Sequence, residues 1–325
     1  MPDQDADQLA RHAGQSSGQR PRLGRLADLL ARNPDLERAI GGVCAAARQD
    51  GLSNEVFRVD GGNGSFILRL ERTGQQGRVD RAQEEAFARR AAALGLGPEV
   101  VCCDPAQGFM LLRALPGARP LAQGDAADLA EATQLGVALR RLHSDQLLRG
   151  AELDPLALIT GQRSRLRREA LPISQAAVID GAIEVARALQ ADAVVRVPSH
   201  CDLVPQNVLL SGGRLWLIDF EYAACADPAW DLAYAGLEAD YAAAARMALL
   251  SAYCAGDFPA AAKLALRVGR MRPICDVVSA LWAMEQAQEG NPATDFAAYA
   301  EQRFRRAEAG LKVAASCSAG PSGIN

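Results

Sequence analysis

Apolar residues follow two rhythms along this chain. In the first third, Val56-Phe57-Arg58-Val59 and Phe66-Ile67-Leu68-Arg69-Leu70 flank Gly61-Gly62-Asn63-Gly64. Alternation on either side of a Gly/Asn turn predicts two strands joined as a hairpin. Residues 26–48 suit one or two short helices around Pro34, and residues 78–94, free of Gly and Pro, predict a longer one. Gly95-Leu96-Gly97-Pro98 is an expected helix stop. Apolar segments 99–103 and 109–115 follow, and Leu115-Pro116-Gly117 breaks the pattern. Beyond it the spacing becomes helical: 126–143 carries Leu129, Leu135, Leu139 and Leu142, and 173–190 and most of 228–314 also predict helices. A short strand pair, 207–210 and 215–218, is expected to turn through Ser211-Gly212-Gly213. The expected architecture is α+β and two-lobed. A small N-terminal lobe with an antiparallel sheet (23–115) precedes a larger, mostly helical C-terminal lobe (116–314), between disordered tails 1–22 and 315–325.

Composition narrows the function classes. The 325 residues are 49% apolar and 23% charged with a formal net charge of −4, and no block of like charge occurs. That excludes a dedicated nucleic-acid surface, which needs concentrated positive charge, and leaves room for an acidic cleft suited to a cationic substrate. No secretory signal is visible, and the Ala-rich stretch 242–255 is interrupted by Arg246, so a cytoplasmic chain without membrane or nucleic-acid partners is expected. The eight cysteines form no metal-ligand spacing, and most are expected to be small buried fillers. Three histidines, one of them His12 in the N-terminal tail, make no metal cluster. The sequence carries no signal for an oligomeric state.

The chemistry concentrates in one region. Ser199-His200-Cys201-Asp202-Leu203-Val204-Pro205-Gln206-Asn207 reads His-x-Asp-x-x-x-x-Asn, and Leu217-Ile218-Asp219-Phe220-Glu221 ends an apolar strand in Asp-Phe. In this order one carboxylate receives a hydroxyl proton, and an amide and a second carboxylate hold Mg²⁺ beside a triphosphate. Asp202 is the expected base; Asn207 and Asp219 are the expected metal ligands. His200 is expected to brace the loop, and His143 to be structural. Asp227-Pro228 starts a helix, with Asp231 bracing the loop through backbone hydrogen bonds.

The nucleotide is expected under the hairpin, where Gly51-Leu52-Ser53-Asn54 can offer donors from Ser53, Asn54 and the backbone. Arg69 stands where a strand cation would meet the phosphates, and Glu84, favoured over Glu85, is expected to hold it. No Walker A sequence is present. Glu221, two residues after Asp219, is expected to face the same cleft and to meet an amine. Tyr222, Trp230 and Trp282, in a chain with 5% aromatics, are expected to wall a quaternary ammonium.

These motifs resemble the choline/ethanolamine kinase group of the aminoglycoside-phosphotransferase-like superfamily, over roughly residues 40–312. The marks are Gly51-Leu52-Ser53-Asn54, Leu68-Arg69, Glu84 with Gly95-Leu96-Gly97-Pro98, Leu142-His143-Ser144, the His200–Asn207 loop, Ile218-Asp219-Phe220-Glu221-Tyr222-Ala223 and Asp227-Pro228-x-x-Asp231-Leu232-Ala233. Residues 281–284 and 299–304 are similar to the closing helices of bacterial choline kinase-like proteins. The resemblance implies a protein kinase-like fold, ATP, Mg²⁺ and transfer of the γ-phosphate to a small-molecule hydroxyl. It points to choline first and ethanolamine second, because the family places the acidic residue of Asp-Phe-Glu-Tyr near the substrate ammonium. The rivals are thiamine, an aminoglycoside or an amino sugar as acceptor, and a non-catalytic nucleotide-binding protein of kinase fold.

Overall fold

The computed structural model describes residues 20–49, 54–72, 79–167, 171–192 and 194–318. Ser53 and the tail residues 1–19 lie outside them. In chain order the elements are α1 (Arg20–Arg32), α2 (Pro34–Ile40), β1 (Val43–Gln49), β2 (Asn54–Gly61), β3 (Gly64–Glu71), α3 (Arg81–Ala93), β4 (Val100–Asp104) and β5 (Phe109–Arg113). Then come α4 (Leu129–His143), α5 (Pro155–Arg165), α6 (Ile173–Ala191), β6 (Val197–Ser199), β7 (Val208–Ser211), β8 (Arg214–Leu217), β9 (Ala224–Ala226), α7 (Pro228–Glu238), α8 (Ala243–Tyr253), α9 (Phe258–Gln288) and α10 (Phe296–Ser318). The chain divides into two compact units. One comprises residues up to Arg119 together with Ser211–Glu221, and the other comprises Pro120–Leu210 and the residues from Tyr222 onward.

The first unit is an antiparallel sheet in the order β1-β2-β3-β5-β4. The β2–β3 hairpin closes with Gly61 opposite Gly64, a two-residue turn. Alternation puts Phe66, Leu68 and Leu70 on one face of β3, where they pack with Phe57, Val59 and Leu111 against Leu26, Leu29, Leu36 and Ile40 of α1 and α2. Fully burying each Leu or Phe here contributes about 1.5–3 kcal/mol. Arg69, between Leu68 and Leu70, projects from the opposite face, where it reaches α3. α3 is capped by Asp80, whose carboxylate accepts from the N–H groups of Ala82 and Gln83, and Gly95 at φ +66° follows its end.

One expectation fails here. Residues 43–48 read as helical, yet they form the edge strand β1, paired to β2 from Val43↔Gly61 to Gln49↔Val56. Gly41 and Gly42, both at φ +79°, end α2 and turn the chain. Ladder pairing then overrides the helix preference of Ala45-Ala46-Ala47. The segment Ser211–Glu221 joins this unit because Leu217 N–H donates to Leu96 O at 2.6 Å and Arg214 Nη2 to Gly95 O at 3.1 Å.

The second unit is helical. α9 is its buried centre, with Ile274, Val277, Ala280 and Leu281 inside, and it contacts α5, α6, α7 and α10. α4 and α8 meet closely at Gly136, where a Cβ would stand 2.3 Å from Leu249 O. β6 pairs antiparallel with β9, Ser199 opposite Ala224. The last helix runs to Ser318, into residues read from sequence as tail. The seven cysteines whose side chains are described are unpaired thiols, and among them only Cys201 and Cys275 are buried, so most are not core fillers. No helix among the described residues is long and apolar enough to cross a membrane.

Candidate active site

In the first unit the site is a lattice of carboxylates and two arginines. Arg69 donates from Nη1 to Glu84 Oε1 at 2.6 Å and from Nη2 to Asp219 Oδ1 at 2.7 Å, and Glu221 Oε2 lies 3.7 Å from Nη2. Arg81 binds the same acids from α3. Its Nη1 donates to Glu84 Oε2 at 2.7 Å and to Glu221 Oε2 at 3.5 Å, and its Nη2 to Asn54 Oδ1 at 3.2 Å. Glu71 Oε1 receives both Nε and Nη2 of Arg81 at 3.3 Å. Asn54 Nδ2 closes the ring on Glu221 Oε2 at 2.9 Å. Burial alone would raise the Glu84 carboxyl, but the two guanidiniums outweigh it and hold it below the usual carboxylate range. Asp219 moves the other way: burial, with Glu221 and Glu84 nearby, pushes it up against the pull of Arg69. Asp219 also adopts φ +66°, an uncommon conformation for a residue with a side chain.

The second unit carries the loop. Asp231, fully buried in the first turn of α7, accepts from His200 N–H and Cys201 N–H at 2.8 Å each and meets His143 Nε2 at 3.1 Å. His143 Nδ1 continues to Tyr253 Oη at 3.0 Å. Burial would raise Asp231, but His143 and the charge and backbone bond of His200 outweigh it and keep the carboxyl below its ordinary value. These bonds hold Cys201 at φ +65°, and Trp230 Nε1 donates to Cys201 O at 3.3 Å. Asp202 N–H donates to His200 Nδ1 at 3.3 Å. Asn207 Nδ2 donates to Asp202 O at 2.9 Å and to Asp202 Oδ2 at 3.0 Å, so the amide hydrogens orient the Asp202 carboxylate and the amide oxygen points away from it.

An aromatic group lies in the same unit. Trp282 meets Phe296 and Tyr299 edge-on at centroid distances of 5.5 and 6.5 Å, and Trp230 stacks on Tyr234 at 6.5 Å. Burial raises the phenols of Tyr234 and Tyr299, the latter to about 12, and the Asp202 charge adds to both shifts. Tyr299 Oη receives Arg303 Nη2 at 2.7 Å, while Glu238 accepts from the same nitrogen at 2.6 Å.

Several sequence expectations change. Glu221 was expected to face an amine, but its side chain is 3% exposed and bonded to Asn54 and Arg81. The segment is not extended at Asp219, whose backbone is left-handed, yet both carboxylates still converge on Arg69 Nη2, at 2.7 and 3.7 Å. Asn54 was expected to offer donors to phosphate, and its side chain is committed to Glu221 and Arg81 instead. Trp230 was expected in a substrate wall, but it is buried against the Cys201 carbonyl. Tyr222 is exposed, and Trp282 is half-buried. The favoured partner of Arg69 holds: Glu84 takes it, and Glu85 pairs with Arg89 on the surface. Sequence reasoning missed Arg81 and Glu71. The signal for Arg81 was its place three residues before Glu84, directly after the Asp80 cap.

The fold is α+β and protein kinase-like. A solved choline/ethanolamine kinase family protein from Mesorhizobium loti is 29% identical, with a TM-score of 0.72 covering 86% of this chain and 95% of that one. The choline kinase LicA of Streptococcus pneumoniae, 23% identical, shares the fold with a TM-score of 0.74 over 88% and 99% of the two chains. Protein LicA of Haemophilus influenzae is 27% identical over 207 residues, 63% of this chain, and the match spans 61% of that relative's length. The profile of the APH phosphotransferase enzyme family matches residues 45–267. The chain belongs to that family.

Proposed function

We propose that the chain is an ATP-dependent kinase that transfers the γ-phosphate to the hydroxyl of an amino alcohol, choline first and ethanolamine second. The supporting observation is the Asp202–Asn207 pair on a loop whose backbone is fixed by buried Asp231. In this reading Asp202 orients the acceptor hydroxyl and takes its proton. Arg69, aligned by Glu84, carries phosphate charge.

The donor set suits Mg²⁺, because Asn207 presents an amide oxygen and Asp219 retains 24% side-chain exposure, and both offer the hard oxygens this ion prefers. Asn207 and Asp219 would hold the ion, which neutralises phosphate charge when bound.

Acceptor choice rests on the aromatic residues. Trp282 is half-buried in the unit that holds Asp202 and would offer ring surface to a cation, beside Tyr299, whose ring already carries Arg303 at 4.5 Å. The buried Glu221 takes no direct part in this recognition.

An ADP-release screen over choline, ethanolamine, thiamine, amino sugars and aminoglycosides tests the reading. Choline or ethanolamine should lead, and Asp202→Ala should abolish turnover while leaving ATP binding intact. A lead by an aminoglycoside or thiamine overturns the acceptor assignment. ATP binding without turnover on any acceptor overturns catalysis.

A further inference from the structure

Arg69 and Arg81 share acids but are not equivalent. All three side-chain nitrogens of Arg81 are engaged, to Glu71, Glu84, Glu221 and Asn54. Arg69 keeps Nε buried without a hydrogen-bond partner. Arg81 is thus engaged at every nitrogen, whereas one nitrogen of Arg69 has no partner. Four carboxylates, Glu71, Glu84, Asp219 and Glu221, meet these two cations. When Arg69 shares its charge with a phosphate, the remaining acids still need a buried counter-charge, because leaving them unpaired is costly.

Resting on the kinase reading above, we propose that Arg81 is a positioning residue for nucleotide binding. It holds Asn54 and both holds and neutralises Glu84, Glu221 and Glu71, so that Arg69 can turn part of its charge to the triphosphate. Without Arg81, Glu84 and Glu221 draw Arg69 back: Glu84 sits at 2.6 Å from it, and Glu221 at 3.7 Å. Glu221 is then a partner of Arg81 rather than of the acceptor.

The experiment is calorimetric titration of the full chain with Mg·ADP, without acceptor, alongside separate KM values for ATP and acceptor. Arg81→Gln should weaken Mg·ADP binding and raise the ATP KM by about tenfold or more, the size expected for a lost charged hydrogen bond, with the acceptor KM unchanged. Adding Glu221→Gln should recover part of that loss, because one of the acids pulling on Arg69 is then neutral. Arg81→Lys keeps the charge but cannot bridge four groups, so it should fall between; it also serves if the Gln variant does not fold. Wild-type nucleotide affinity in the folded Gln or Lys variant overturns the proposal, as does a parallel loss of nucleotide and acceptor affinity or the absence of recovery in the double variant. Failure of the wild-type chain to bind Mg·ADP sinks the kinase reading and this proposal with it. Binding by the wild type with no effect at Arg81 sinks the proposal alone.

Discussion

Asp231→Asn is the sharpest probe of the catalytic loop. The carboxylate is fully buried and accepts two backbone N–H groups at 2.8 Å, with His143 at 3.1 Å. An amide has one acceptor oxygen, so its NH₂ must confront one of those donors. A buried donor left without an acceptor costs about 1–3 kcal/mol, and the surviving bonds lose their charge assistance. We therefore expect a stability loss of about 3–4 kcal/mol, a large share of the roughly 5–15 kcal/mol that holds a folded protein together. Cys201, at φ +65°, sits in a conformation that costs about 1–3 kcal/mol and persists only while its surroundings enforce it. Its release should let Asp202 drift and lower kcat by at least about tenfold, since roughly 1.4 kcal/mol of misalignment suffices. The sign of the pH effect follows from the depressed folded pKa of Asp231. Its stabilisation is present above the unfolded carboxyl pKa and is lost as pH falls through the folded value, so the gap between wild type and variant should narrow below about pH 4. Urea unfolding at pH 7 and in acid, with ADP release at pH 7, measures all three effects. An unfolding free energy within about 0.5 kcal/mol of wild type, together with unchanged kcat, would refute the bracing argument.

Other outcomes follow from the same geometry. Arg69→Lys should lose about tenfold or more in kcat/KM for ATP, because one ammonium cannot bridge Glu84 and Asp219 as the guanidinium does; steady-state kinetics check it. Gly136→Ala should destabilise the chain by about 1–3 kcal/mol in urea unfolding, since the added methyl meets Leu249 O. Trp282→Ala should raise the choline KM by about five- to thirtyfold, equivalent to about 1–2 kcal/mol of cation–π attraction, and leave the ATP KM unchanged. Equal changes in both constants would remove Trp282 from the acceptor site.

Local signals sufficed where local physics decides. The β2–β3 hairpin was legible because a Gly/Asn turn joins two alternating strands. The helix stop at Gly95 and the Asp227-Pro228 start were equally plain, since caps satisfy backbone groups within a few residues. The order of Asp202, Asn207 and Asp219 pointed to the phosphoryl transfer proposed above, because loop length fixes what one short segment can present. The sequence favoured Glu84 over Glu85 as the partner of Arg69, and packing decided it, because the two point about 100° apart on one helix. Tertiary structure also turned 43–49 into an edge strand, a matter of which neighbour offers backbone hydrogen bonds. Above all it enclosed Glu221, Asn54 and Arg81 in one ion network. Burial and ion pairing depend on residues up to 167 positions apart in the chain, and no spacing rule along the sequence reaches that far.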